Sequence, residues 1–378
     1  MILKRFEEIS EPDLQSLITN AVAERKTLEY KQELPGNADA DRKEFLADVS
    51  SFANTSGGDL IFGMSEDQGV PTQITGVASA DLDLEIRRFD SILASGLEPR
   101  IRHAIKVVNC QSGSRVLLIR VERSWTGPHR VVFKAHDKFY GRNSAGKYPL
   151  DVAELRAAFS LSQTVVERIR AFRTDRIIAL SNNQTPVTFA PNPKIVLHCI
   201  PIESFASESQ HDVMQFYETP DLPPMGSSGW NHRINLDGVL LYSGGNPAFS
   251  YTQLYRNGVL EAVHGGVLAH EYEGRRVIPS IAYEEVVFRY LPLCFRALQE
   301  IGCNVPIVIA MTLTNVRGLQ FPGGYAIDRD TLVLPETVVE DFSTPPGKIL
   351  KPMFDLVWNA CGYSASANFD TEGNWIRR

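Results

Sequence analysis

The segment Asn54-Thr55-Ser56-Gly57-Gly58 is built so that its backbone could do chemistry. N–H groups of a turn made from small residues can line a concavity that holds a phosphate. A helix-like run ends at this turn and presents its negative pole there, which does not favour an anion. The alternative is structural: the glycines permit a positive φ and tight packing ahead of the apolar strand Leu60 to Met64. The chain contains no Gly-x-x-x-x-Gly-Lys-Ser/Thr sequence, and ATP is not expected as a cofactor. Two acids, Glu66 and Asp67, follow the strand.

A second such segment is Arg142 to Lys147, where two cations flank Asn143, Ser144 and Gly146. That composition suits a phosphate grip, and Phe139 and Tyr140 just upstream could stack on a base. An ordinary hairpin loop with core aromatics would read the same way. The loop closes a basic stretch. Arg100, Arg102, Lys106, Arg115, Arg120, Arg123, Arg130, Lys134, Lys138, Arg142 and Lys147 face only Glu122 and Asp137 in sequence, a net of plus nine in a chain whose overall charge is −7. His103, His129 and His136 add positive charge at lower pH. A positive segment on a negative protein suggests a localised anion-binding face, with Arg100, Arg102, Arg120, Arg130, Lys134, Lys138, Tyr140, Arg142, Asn143 and Lys147 as contacts. The competing reading is that alternating strand positions simply solvate their cations.

Other chemistries lack their signatures. There is no Gly-x-Ser-x-Gly elbow, His-Glu-x-x-His pair or dinucleotide fingerprint. His264, His270 and Glu271 fall in a Gly-rich hairpin and read as loop. The five cysteines, Cys110, Cys199, Cys294, Cys303 and Cys361, form no Cys-x-x-Cys pair and no zinc-finger spacing, so reduced, partly buried thiols are expected. No apolar run approaches the roughly 18 to 20 residues that span a bilayer, and the N-terminus carries acids where a signal peptide needs an apolar core. The expected location is the cytoplasm, with no membrane association.

The elements that must position these residues follow from periodicity. Helices are expected over Glu11 to Val22, from Asp39 or Asp41 to Asn54, over Leu82 to Leu93 and over Leu150 to Phe172. Strands are expected over Thr27 to Leu34, Leu60 to Met64, Gly69 to Val77, Ala104 to Val108, Arg115 to Glu122, Arg130 to Lys134 and Phe139 to Arg142. After a Pro/Asn-rich linker come strands at Lys194 to Ile202, Val239 to Tyr242 and Tyr251 to Val263, the last with an Asn257-Gly258 turn. A helix over Ile281 to Ile301, a strand over Val305 to Leu313 and a helix over Ile349 to Ala360 complete the chain. This is an α+β protein of two lobes, residues 1–175 and 194–378, joined by a linker at 176–193.

Four ordered segments of the first lobe resemble the Schlafen/AlbA-type nucleic-acid-binding domain family. They are Leu28-Glu-Tyr-Lys31; Ala53-Asn-Thr-Ser-Gly-Gly58 with Leu60-Ile-Phe-Gly63; Val116 to Val121 with Gly127-Pro128; and Phe139-Tyr-Gly-Arg142-Asn-Ser-Ala-Gly146 with Asp151-Val-Ala-Glu-Leu155. The resemblance covers about residues 20 to 160 and implies a mixed, mostly antiparallel sheet with helices. The second lobe resembles no family in this way.

Family members that are ribonucleases hold a divalent metal with two glutamates and an aspartate. The resemblance places these at Glu24, Glu29 and Asp67, with Glu66 as an alternative third ligand because the chain reads Gly63-Met-Ser-Glu-Asp67. Mg²⁺ or Mn²⁺ would be the ion, since hard cations take oxygen ligands. Lys31 shares a strand face with Glu29 and could contact a phosphate oxygen. Glu24 and Glu29, five apart, converge only if the chain bends between Arg25 and Thr27. The expectation is a nucleic-acid-binding protein, regulatory or defence-related. The alternatives are a metal-dependent endonuclease acting on RNA such as tRNA or on DNA, and a protein-interaction component, including a homo-oligomer, without nucleic-acid chemistry.

Overall fold

The computed structural model describes every residue except 3, 5, 80, 207–210, 269, 273, 371, 377 and 378, with residue 162 described by its backbone alone. The chain divides into two compact units, Met1–Thr164 and Val165–Arg378. Among the described residues, no helix is long and apolar enough to cross a membrane.

The first unit contains α1 (Glu11–Thr19), β1 (Leu28–Lys31), α2 (Asp39–Ala53), β2 (Gly58–Phe62), β3 (Met64–Asp67), β4 (Val70–Ile74) and α3 (Leu82–Gly96). It continues with β5 (Leu97–Glu98), β6 (His103–Asn109), β7 (Arg115–Val121), β8 (Arg130–Phe133), β9 (His136–Asn143) and β10 (Gly146–Pro149). One sheet has the order β1-β2-β7-β6 and another the order β10-β9-β8-β5, while β3 and β4 form a separate hairpin. The β1–β2 pair is parallel and the other pairs in these sheets are antiparallel.

Alternation along the strands sorts side chains between two cores. Leu28 and Tyr30 of β1, with Ile61, Val116 and Leu118, pack with Leu14 and Leu17 of α1. Leu60, Phe62, Leu117, Ile119 and Val121 pack with Phe45, Leu46, Val49 and Phe52 of α2 and with Phe89 of α3. Because Leu28 and Tyr30 face α1, the intervening Glu29 and the following Lys31 face the α2 side. That placement governs the site described below.

Helix α4 (Val152–Ser181) runs across the division between the units. It continues past Phe172, where the sequence pattern ends it, so residues 176–181 of the expected linker are helical. Its last turns are held by tertiary contacts that periodicity does not show. Arg173 donates to the carbonyls of Met311 and Leu334 and to Thr312, and Arg176 makes two hydrogen bonds to Glu261.

The second unit is built on an antiparallel sheet with the order β12-β13-β14-β15-β11-β18-β19, in which β20 also pairs with β18. Its strands are β11 (Lys194–Pro201), β12 (Asn231–Ile234), β13 (Gly238–Gly244), β14 (Ala248–Tyr255), β15 (Leu260–His264), β18 (Ile307–Thr314), β19 (Thr331–Val333) and β20 (Thr337–Val339), and β16 (His270–Tyr272) with β17 (Arg275–Val277) forms a small hairpin. The short helices α5 (Glu203–Ala206) and α6 (Gln215–Glu218) precede the long α7 (Ser280–Glu300) and α8 (Pro346–Ala360). One sheet face (Ile195, Leu197, Leu254, Ile309, Met311) packs with Tyr283, Val287 and Leu291 of α7 and Phe354 of α8. Both units mix helices with largely antiparallel sheet, the α+β class expected from the sequence.

A charge cluster beside a cleft in the first unit

The residues that could act on a polyanion converge where β1, α2 and the β9–β10 hairpin meet. Lys147 stands directly opposite Arg142 in the hairpin register, so both side chains leave the same face. Glu44 and Asp48 are one helical turn apart on α2 and share a face of that helix. From β1 come Glu29 and Lys31. The result is a chain of charges: Lys31 Nζ lies 2.7 Å from Glu29 Oε1, Glu29 Oε2 pairs with the Arg142 guanidinium, and Arg142 Nη1 lies 3.8 Å from Asp48 Oδ1. Lys147 Nζ is 2.7 Å from Asp48 Oδ1 and also pairs with Glu44.

Burial makes these contacts consequential. Arg142 is 3% exposed, Asp48 2% and Glu29 8%. The Arg142 guanidinium stacks 4.4 Å above the Phe52 ring. Burial pulls it down to about 10, against the opposing pull of the Glu24 carboxylate. Burial likewise raises the Asp48 carboxyl above its ordinary value, while Lys147 and Lys31 pull it back.

Glu24 arrives by the bend that the sequence required. Arg25 and Leu28 exchange N–H to carbonyl hydrogen bonds at 3.0 and 2.9 Å, closing a tight turn over residues 25–28. Glu24 Oε1 then accepts the Tyr30 N–H at 2.9 Å, and the Glu24 N–H donates to the Gly69 carbonyl at 2.7 Å. A cleft of about 210 Å³ opens here, lined by residues 23–25, by Gln68 and Gly69 at the β3–β4 turn, and by Arg142 with 144–146 at the β9–β10 turn. Asn143 shapes that second turn by accepting the Ala145 N–H at 2.8 Å.

The expected carboxylate triad is not assembled. Among the described residues, Glu24, Glu29, Glu66 and Asp67 supply no group of three ligand atoms within 4.8 Å of one another. Glu66 accepts the Gly69 N–H and Asp67 is exposed at the end of β3. Both Glu29 oxygens are held by cations, so a metal there would have to displace Lys31 and Arg142.

The turn at 54–58 uses several of its own N–H groups within the chain. Asn54 N–H bonds the Ser50 carbonyl, and the N–H groups of Thr55 and Gly57 bond the Phe52 carbonyl, which leaves those donors unavailable to a phosphate. The Asn54 side chain bridges to the second sheet, donating to the His129 and Tyr140 carbonyls and accepting the His129 N–H. Thr55 turns its hydroxyl onto the Ser51 carbonyl. Gly57 has φ +68°, and a Cβ there would meet Arg123 N at 2.7 Å and Val121 O at 2.8 Å. Ser56 lies in the same turn.

The basic stretch is balanced in three dimensions by acids from outside it. Arg120 pairs with Asp59 at 2.7 Å, Arg130 with Glu98 at 2.7 Å, and Lys134 with Asp39 at 2.5 Å. Arg142 and Lys147 join the cluster above, and Lys106 caps the Ile9 carbonyl at 2.7 Å. Tyr140 packs against the α2-facing core and its hydroxyl meets His136 Nε2 at 2.8 Å, so it is not laid open as a stacking platform. Arg100 and Lys138 are exposed, Arg102 is half-buried, and Arg123 stacks 4.0 Å from the Trp125 ring.

Sequence reasoning missed Arg25, Gln68, Glu44 and Asp48. For Asp48 a signal exists: it sits three residues after Phe45 and four before Phe52, an acid on the apolar stripe of α2, where a charge demands a partner.

Comparison with known proteins agrees with the resemblance. Residues 24–151 match the family described as Schlafen, AlbA_2. No curated protein matches the chain. Among solved structures, the DIP2311 protein from Corynebacterium diphtheriae is similar at 23% identity and TM-score 0.27, over 38% of this chain and 26% of that one. The N-terminal domain of an ATP-dependent DNA helicase RecG-related protein from Nitrosomonas europaea is similar at 27% identity and TM-score 0.25, over 30% of this chain and 74% of that one. The family match thus spans residues 24–151, about a third of the chain.

Proposed function

We propose that the first unit binds nucleic acid by seating a backbone phosphate in the cleft between the 23–25 segment and the β3–β4 and β9–β10 turns. The observation that carries this is the state of Arg142. Its Nη2 is committed to Glu29, yet among the described residues Nε and Nη1 have no hydrogen-bond partner although they are buried, Nη1 having only the longer 3.8 Å approach to Asp48, and the residue lines an open cleft. Buried guanidinium donors left unmatched are costly, and a phosphate oxygen is their natural acceptor. Arg25, exposed on the rim, supplies a second cation. The family match over residues 24–151 supports the same ligand class.

Glu24 on the opposite wall limits how much negative charge the cleft tolerates, so binding depends on several contacts and on salt. Arg25→Ala is the clean variant, because Arg25 stands outside the buried cluster. Titrating fluorescent single-stranded RNA and duplex DNA between 50 and 200 mM salt is expected to give a steep log–log dependence, reduced by about one unit of slope in Arg25→Ala. Affinity unaffected by salt and by Arg25→Ala refutes the reading, and absence of binding at low salt favours a role in protein contacts.

A second reading, a divalent-metal endonuclease, is favoured by one observation: the 25–28 turn does bring Glu24 beside the strand that carries Glu29. It requires Glu29 to exchange Lys31 and Arg142 for an ion when substrate is present. Cleavage of structured RNA or of DNA in Mn²⁺, abolished by Glu24→Gln, would establish it. Intact substrates under those conditions would dismiss it.

A further inference from the structure

We propose that the second unit holds a zinc ion on Glu203, His211 and Cys303. Each of these residues offers one ligand atom, and the three atoms lie within 4.8 Å of one another. Cys303 Sγ and His211 Nε2 are 3.5 Å apart. A tetrahedral zinc with sulfur at about 2.3 Å and nitrogen at about 2.0–2.1 Å sets those two ligands about 3.5 Å from each other. Thiolate, imidazole and carboxylate together select a borderline-soft cation and disfavour Mg²⁺ or Ca²⁺.

The surroundings orient each ligand. His211 Nδ1 lies 3.0 Å from the Ile301 carbonyl, a bond that places the proton on Nδ1 and leaves the Nε2 lone pair facing Cys303. Glu203 Oε1 accepts the Asn304 N–H at 2.8 Å, fixing the carboxylate against the residue that follows Cys303. The backbone is pinned as well: Cys303 N–H donates to the Leu298 carbonyl at 2.9 Å and His211 N–H to the Arg256 carbonyl at 2.8 Å.

Gly258, in the β14–β15 turn, makes the room. A Cβ there would stand 2.5 Å from Cys303 Sγ and 3.0 Å from His211 Cδ2. Cys303 is 3% exposed, whereas Glu203 and His211 are half-buried, so an ion enters from the carboxylate and imidazole side. Three protein ligands leave a fourth position for water or another donor.

The same 3.5 Å separation suits a thiol-to-imidazole hydrogen bond, and metal analysis separates the two. Full-length protein purified without chelators is expected to carry about one zinc per chain. Replacement by Co²⁺ is expected to give a thiolate-to-cobalt charge-transfer band with the strong visible bands of a tetrahedral ion. Cys303→Ser is expected to abolish the charge-transfer band, and His211→Gln to lower metal affinity at least tenfold, with circular dichroism checking the fold of each. Should Cys303→Ser fail to fold, the wild-type cobalt spectrum and the His211→Gln titration decide. The proposal is overturned if wild-type protein binds neither ion, if its cobalt complex lacks the thiolate band, or if zinc is retained stoichiometrically in folded Cys303→Ser.

Discussion

Arg142→Ala tests whether the charge cluster is an integral part of the first unit. The substitution removes the guanidinium that pairs with Glu29, faces Asp48 at 3.8 Å and covers the Phe52 ring. Deleting one partner of a buried pair costs about 3–5 kcal/mol when the other charge is left uncompensated. Here Glu29 keeps Lys31 at 2.7 Å and Asp48 keeps Lys147 at 2.7 Å, which puts the loss at the lower end, about 3 kcal/mol. For a unit of this size each kcal/mol lowers the melting temperature by about 2–4 °C, so a fall of about 6–12 °C is expected. Thermal unfolding followed by hydrogen exchange of peptides 44–53 and 139–147 reads the first unit specifically. The double variant Glu29→Gln with Arg142→Ala should lose less than the sum of the two single changes, because removing Glu29 also removes the charge that Arg142 neutralises. A shift below about 2 °C, or strictly additive losses, would refute the idea that these residues form one coupled network.

Two further perturbations probe the structure elsewhere. His264 in the second unit is held neutral, its pKa lowered to about 4 by burial, and its Nδ1 accepts the Gly266 and Val267 N–H groups at 3.1 and 3.2 Å, which an imidazolium could not do. The unfolded chain protonates this ring near 6.5, so the contribution is complete above that pH and lost as pH falls towards about 4; the loss is about 2 kcal/mol once the ring's partial exposure is discounted, and His264→Gln should flatten this limb of a urea-unfolding profile. Gly58→Ala would place a Cβ 2.3 Å from the Phe52 ring and 3.0 Å from the Thr27 carbonyl carbon, so overpacking of about 1–3 kcal/mol is expected, seen as a lower urea midpoint with unchanged m-value; an unchanged midpoint would count against a structural role for this glycine.

Much of the architecture was legible from the residues alone. The apolar rhythms of α2, α3 and α7 and of β7, β11 and β18 predict their elements because helix and strand periods project side chains to fixed faces. The same rule places Glu29 and Lys31 on one side of β1. The bend at 25–28 was legible as a condition: two glutamates five apart can approach only if the strand is interrupted, and the structure interrupts it. The ordered motifs between Leu28 and Leu155 carried the resemblance, and residues 24–151 match that family.

What the residues could not reveal is which charges cancel. The stretch from Arg100 to Lys147 counts as strongly positive along the chain, but Asp39, Glu44, Asp48 and Asp59 come from α2 and β2, far away in sequence and adjacent in space. Coulombic pairing acts over a few ångströms regardless of how many residues intervene, so a window of sequence cannot tell a paired cation from one open to a ligand. The same reason hid Glu203, His211 and Cys303, which approach only because the start of α5, His211 and the residues just after α7 meet, with Cys303 and His211 beside the β14–β15 turn. Periodic patterns, being local, fixed the elements; the identity of each charge's partner was decided by tertiary packing alone.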